Sequence, residues 1–535
     1  MKKILLYFLF FCATLPTYAQ GFNKAYTLGY RYLEFYHCIL EQDTLTMYGI
    51  VITKDSIPKF GVYVSKFDTL GNLIAIHTHF QADGETIYYS PRPSFIKASD
   101  SGYAGFLSLG ENTEGIIKFK HDGEVAFSRK IIDNQPNINF LRFQEMIEVE
   151  DGFIVTGIND QIGLPSAVVV YKLDKQLDKI LWRKTFSDTK WCLYVYAKSL
   201  KVKDKKISFI VEKSDWCMSP DDEAKWTAID YTLDSLGNKI KEVLIPSYSK
   251  FDIYGKIDVD DSEKLYFGEK LLGVIGSNYY RKTNIIKVDS ENKEIWNKVI
   301  SDTSWSTYIK VGFIAQNSDF LLVGNTTTST PILGTKDITT VGEGGVIYRY
   351  DQAGNLKWKK VDTIFSALYP HKWFPGDTKF YSHRSFHDAV ELPSGSIIAC
   401  GFSDRYDYDV KKDSIREFHT EAWLYKVDKN GCINSKDCTT TVSTKEENNA
   451  QKIEENVQIF PNPTNDIVNI VVAENQQLDN IEIYDISSKR LKYFSFQNNE
   501  TKAVVSLPEN AGNLFFIKVK TKSGVVSVKK VLKMR

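Results

Sequence analysis

Apolar and polar positions alternate along this chain in short runs, and each run ends in turn-forming residues. Val346, Tyr348 and Tyr350 interleave with Ile347 and Arg349, the period of two that marks a β-strand. Asp351-Gln-Ala-Gly354-Asn355 follows as a turn. An Asp side chain bonds the backbone ahead of it, and Gly accepts positive φ without steric cost. A return strand carrying Trp358 completes a hairpin. Relatives of this hairpin turn at Asp68-Thr-Leu-Gly71-Asn72, Asp122-Gly123, Asp174, Asp234-Ser-Leu-Gly237-Asn238, Asp289 and Asp428-Lys-Asn-Gly431. From Asp174 onward the strand-ending Asp recurs at intervals of 55 to 77 residues.

A second hairpin precedes each of these. Phe386 to Leu392, Pro393-Ser-Gly395, then Ser396 to Phe402 shows it best; stretches around Asp100-Ser-Gly102, Asp151-Gly152 and Asn317-Ser-Asp319 match. Each unit is therefore four strands, and residues 21–438 hold seven units of about 60 residues. Four-stranded units repeated radially are the blades of a β-propeller. The prediction is an all-β chain, a seven-bladed β-propeller over 20–438 followed by a small C-terminal β-sandwich. A β-solenoid is the alternative, but its repeats are shorter. Ala25 to Tyr36 is expected to donate a strand to the last blade, closing the ring and removing its exposed edges.

Composition narrows the function classes. Lys+Arg and Asp+Glu both number 67, so charge gives no case for nucleic acid or an anionic membrane surface. A hydrophobic content of 43% supplies a packed core. Met1-Lys2-Lys3 followed by the apolar run Ile4 to Phe11 has the anatomy of a signal peptide, with the cut placed after Ala19. No other segment is long and apolar enough to read as a membrane helix. Export permits disulfides. Cys432 and Cys438 are expected to pair, Cys192 and Cys217 form a second candidate pair, and Cys400 reads as a buried small hydrophobe. Thr439 to Asn456 is polar and aperiodic and reads as a linker.

Val457 to Arg535 reads as a separate β domain, with strand patterns at Ile467 to Val472, Ile481 to Tyr484, Asn513 to Lys520 and Val525 to Leu532. Pro461-Asn462-Pro463, the strand ending in Tyr484-Asp485, and Gly524 with Lys529-Lys530 near the end resemble the type A sorting domain of the type IX secretion system of Bacteroidota. Ser488 and Phe515-Phe516 depart from the residues common there. The resemblance implies partners in the secretion machinery and its sortase-like peptidase, export across the outer membrane, removal of this domain, and surface anchoring or release.

Candidate chemistry is sparse. Asp68, Asp174, Asp234, Asp289, Asp351 and Asp428 repeat at turns and read as structural; Trp182, Trp296 and Trp358 read as packing between blades. Ser187-Asp188-Thr189-Lys-Trp191 recurs as Ser301-Asp302-Thr303-Ser-Trp305 without the glycine pattern of the sialidase Asp-box. His371, His383 and His387 lie close in sequence beside Asp388, and Asp221-Asp222-Glu223 is acidic; surface or packing roles are the default for both, so no metal and no cofactor is assigned. No P-loop, dinucleotide fingerprint, Gly-x-Ser-x-Gly elbow or catalytic carboxylate pair is evident. Length variation gathers on the face that holds the connections between second and third strands and the crossovers to the next unit, at Ser214–Ala224, Asn325–Gly345, Asp362–Ser385 and Ser403–Thr420. Trp191, Trp216, Trp305, Trp373, Tyr406 and Tyr408 mark this face as the expected binding face for an unknown glycan or protein. The expectation is a secreted or cell-surface binding module rather than an enzyme, the alternative being an extracellular carbohydrate-active hydrolase or lyase.

Overall fold

The computed structural model describes residues 21–88, 94–109, 113–133, 140–160, 167–186, 193–214, 226–245, 251–260, 262–275, 278–300, 306–331, 338–362, 384–409, 414–433, 457–460, 464, 466–472, 477–485, 490–508, 514–522 and 526–533. Strands dominate them, and they contain no helix. The chain divides into two compact units, Met1–Thr440 and Thr441–Arg535.

In the first unit, antiparallel four-stranded sheets follow one another along the chain. Phe140–Val149, Gly152–Asp160, Ala167–Leu173 and Ile180–Phe186 pair in sequence order, and the same order holds in the three sheets that begin at Leu193, Phe251 and Ser306. The second sheet departs from this plan. Its first strand is split, with Glu85–Tyr88 and Phe95–Lys97 pairing along the same edge of Tyr103–Leu109.

The turns form as their residues dictate. Asp351 Oδ1 accepts the N–H of Asn355 at 2.7 Å, Asp234 Oδ1 accepts those of Leu236 and Asn238, and Asp428 Oδ1 accepts those of Asn430 and Cys432. The repeated aspartates are structural. Each such turn is also a socket for the preceding sheet. The rings of Trp182, Trp296 and Trp358 lie against Gly237, Gly354 and Gly431. The Trp182 and Trp358 indoles donate to the carbonyls of Ser235 and Lys429. Lys184 and Lys298 donate to the same turns, at Asn238 and at Ala353 and Gly354.

Ring closure uses an earlier segment than expected. Phe22–Tyr26 pairs with Ser414–Val427 as the outer strand of the last sheet, whereas Tyr32–Glu41 opens the first. Phe22 then lies against Gly71, and Lys24 donates to the carbonyls of Leu70 and Gly71, repeating the Trp–Gly–Lys lock with a Phe. First and last sheets also meet at one parallel bridge, Tyr32 to Thr420.

Apolar faces are buried between neighbouring sheets. One core joins Phe35, Met47 and Phe67 of the first sheet to Ile398, Cys400 and Leu424 of the last. Others join first to second, second to third and so on, as with Phe106 to Phe143 and Tyr171, and Phe386 and Trp423 to Val323 and Ile347. The first strands of the sheets, starting at Tyr32, Phe95, Phe140, Leu193, Phe251, Ser306 and Arg384, each contact the next, and the last contacts the first.

The second unit is a sandwich. A three-stranded sheet of Val457–Phe460, Ile467–Val472 and Lys502–Ser506 shares one core with a four-stranded sheet of Arg490–Ser495, Leu478–Tyr484, Leu514–Thr521 and Val526–Leu532.

Candidate functional site

The inner strands carry a common irregularity. Register slips between Phe35 and His37, Phe143 and Glu145, Lys198 and Lys201, Ile253 and Gly255, Ile309 and Val311, and Phe386 and Asp388. A bulge inserts one residue, twists the strand and re-aims the side chains beside it. Here it turns polar groups toward the neighbouring sheet. Glu145, half-buried, accepts the Ser199 N–H at 2.8 Å and the Leu200 N–H; Ser199 Oγ in turn accepts the Lys256 N–H at 2.8 Å. Burial holds the Glu145 carboxyl above its usual range against the pull of those two N–H groups and of His37.

Where the last sheet meets the first, a cluster of polar groups gathers. His37 Nδ1 lies 3.3 Å from Asp388 Oδ2, and His387 Nε2 lies 3.2 Å from Glu34 Oε1. Tyr32 donates to Glu34, and the Tyr36 and His387 rings meet edge to face at 4.7 Å. Glu34 is 2% exposed, whereas the His37 side chain is 35% exposed. Asp388 also accepts the Cys38 N–H at 3.0 Å. These carboxylates are committed to neighbouring sheets, so the cluster acts first as a clasp on the seam. Sequence reading placed His387 and Asp388 with His371 and His383, which lie outside the described residues. The structure pairs them instead with Glu34 and His37, about 350 positions away. Among the described residues no group of three or more His, Cys, Asp or Glu is arranged to hold a metal ion.

In three sheets the connection between second and third strands is largely paired strand, not loop. Glu263–Ile275 with Asn278–Asp289, Phe320–Pro331 with Ile338–Tyr350, and Ile397–Asp409 with Ser414–Val427 form long hairpins in three successive sheets. Their ladders run on beyond the last residue paired to the inner strand, at Lys270, Thr327 and Ser403. The overhang is roughly four to six residues, or about 14–20 Å of strand. The stretches expected as insertions at Asn325–Gly345 and Ser403–Thr420 are these overhangs. Tyr406 and Tyr408 sit in the last, opposite Phe418 and Ile415. Trp191, Trp216, Trp305 and Trp373 lie outside the described residues, as do Cys192, Cys217 and Asp221 to Glu223. On the short-turn face a groove of about 460 Å³ runs past Ile96, Ser99, Ile147 and Glu148, and the Ser99–Glu148 hydrogen bond at 2.8 Å crosses it.

In the sandwich, Tyr484 ends its strand and donates to Glu482 Oε2 at 2.5 Å, with Asp485 following. Lys529 and Lys530 stand opposite Ile517 and Phe516. Pro461, Asn462, Pro463 and Gly524 lie outside the described residues. Residues 458–534 match the family model of a secretion system C-terminal sorting domain. This tail is that of the type IX system, and it implies dealings with the type IX machinery and export to the cell surface or extracellular space. No helix among the described residues is long and apolar enough to cross a membrane.

No curated protein matches the chain. Among solved structures, Drosophila Semaphorin 2a superimposes with a TM-score of 0.43 at 8% identity, covering 94% of this chain and 96% of that one. A Penicillium chrysogenum alpha-L-arabinanase complexed with arabinobiose gives 0.38 at 9% identity, with 63% and 92% covered. The GH93 alpha-L-arabinofuranosidase of Fusarium graminearum gives 0.36 at 14% identity, with 63% and 92% covered. These superpositions are too loose to carry function across. The propeller-like description of the first unit rests on its own sheets and cores.

Proposed function

We propose that the chain is an exported seven-bladed β-propeller that works as a binding module at the cell surface or beyond it. The blade count is supported by the cyclic order of the inner strands and by the buried core between each neighbouring pair of sheets. In this reading residues 1–19 are a signal peptide, 20–438 the propeller, 439–456 a linker, and 457–535 the sorting domain that the secretion machinery's peptidase removes. The observation that carries the binding role is the run of three adjacent long hairpins on one face. Rigid paired strands projecting together form a walled surface at low entropic cost to a ligand, a glycan or a protein. Trp191, Trp216, Trp305, Trp373, Tyr406 and Tyr408 belong to the same face by their place in each unit, and their rings supply stacking area.

The test presents the exported protein to a glycan array and follows both retention and sugar release. Binding without release supports the module. Release of sugar would replace it with the carbohydrate-active alternative. Trp216→Ala and Trp373→Ala should weaken binding with Tm unchanged; loss of binding from changes on the short-turn face alone would overturn the assignment of the face. Deleting 457–535 should leave a folded propeller in the periplasm, and normal surface delivery of that truncation would refute the sorting role.

A further inference from the structure

Cys38 and Cys400 come from opposite ends of the propeller unit and meet in the core that joins its first and last sheets. Both are fully buried among Leu33, Met47, Leu392 and Leu424, and both are free thiols in this structure. Two independent observations fix their proximity. The Cys38 N–H donates to Asp388 Oδ2 at 3.0 Å, and Asp388 stands directly opposite Cys400 in antiparallel register. Both side chains also belong to one buried apolar core. Among the described residues the other ties across the seam are non-covalent, among them the Phe22–Tyr26 strand, the Tyr32–Thr420 bridge and the His–carboxylate pairs.

We propose that Cys38 and Cys400 are a redox site, joined by a disulfide in the exported protein, which locks the ring covalently across its seam. The inference rests on the exported state proposed above, because an oxidising compartment is where such a bond persists. The oxidant is a disulfide, on a thiol–disulfide exchange protein or a small molecule such as oxidised glutathione. One cysteine thiolate attacks it, forming a mixed disulfide and releasing one thiol. The second cysteine, on losing its proton, displaces the other. Two protons and two electrons leave the pair, and the oxidant departs as two thiols.

Burial also sets the timing. The adjoining Cys400 thiol, the buried surroundings and the nearby Asp388 carboxylate together hold the Cys38 thiol well above its usual range, and burial raises Cys400. Thiolate is the reacting form, so the folded, reduced ring oxidises slowly. The bond is expected to form while the ring closes, before the thiols are sealed in.

Two measurements test this. Exported protein, alkylated under denaturing conditions without reductant, is digested with trypsin; residues 32–54 and 385–405 each contain one cysteine. The peptides should be found joined, and alkylation of both cysteines in protein whose export is verified would overturn the proposal. Failure of export itself would instead strike the sorting-domain reading, and refolding purified full chain with oxidised glutathione then decides the cysteine pair alone. Secondly, Tm is compared with and without reductant. The crosslink should raise it by about 5 °C in a unit of this size, because it closes a long loop in the unfolded chain. Cys400→Ala and Cys38→Ala should each abolish that part of the redox difference, whatever their packing cost. An unchanged difference in both variants would refute the bond.

Discussion

The Trp–Gly sockets between sheets invite a quantitative test at Gly431. This residue has φ of +80°, and a Cβ added there would meet Trp358 Cε3 at 2.7 Å and Cδ2 at 2.9 Å. The indole has little room to retreat, since it is 5% exposed and its N–H is held by the Lys429 carbonyl at 3.0 Å. Gly84 is the control: its φ is +75°, and nothing lies within 4 Å of an added Cβ. Gly84→Ala should therefore cost only the left-handed backbone term, about 1 kcal/mol. Gly431→Ala should cost that plus an overpacking term of about 1–3 kcal/mol. Urea denaturation of the mature chain, followed by tryptophan fluorescence, gives both values from the shift in midpoint at constant slope. In a Trp358→Ala background the clash has no partner, so Gly431→Ala should fall to the cost seen at Gly84, a coupling of at least about 1 kcal/mol. Equal costs for the two glycine substitutions, or a Gly431 cost that survives loss of Trp358, would refute the socket.

Two further predictions follow from buried groups. Burial pushes the Glu114 carboxyl up to about 8, against the opposing charge of Arg142. Its folded value exceeds the unfolded one, so the stability it contributes is present below about pH 4.5 and lost as pH rises through about 8; Glu114→Gln should flatten the change between pH 5 and pH 8 by up to about 3.5 kcal/mol, read from urea midpoints at the two pH values. A variant with the slope of the parent would remove Glu114 from the account. Cys432 is buried where the last short turn ends, and Cys438 follows outside the described residues. Mass spectrometry of non-reduced exported protein should find the two joined, and free thiols at both positions would count against the pairing.

The sequence by itself determined what depends on residues a few positions apart. Asp351 and Gly354 specify their turn through a side-chain bond and a permitted φ, and the same chemistry recurs wherever the spacing recurs. Alternation gave the strands, repetition marked the Asp and Trp residues as structural, and Tyr484-Asp485 with the terminal lysines marked the sorting tail. The tertiary structure decided everything that joins distant segments. A period of two says which face a strand buries but not which strand lies beside it. The closing strand is therefore Phe22–Tyr26, although the sequence pointed to the aromatic run from Ala25 to Tyr36. Asn325–Gly345, rich in Thr and Gly, read as an insertion because its strand character comes from cross-strand pairing rather than from apolar alternation. The clasp of Glu34 and His37 on His387 and Asp388, and the meeting of Cys38 with Cys400, were invisible for the same reason. Ring closure brings together residues some 350 positions apart, and no local preference along the chain encodes that contact.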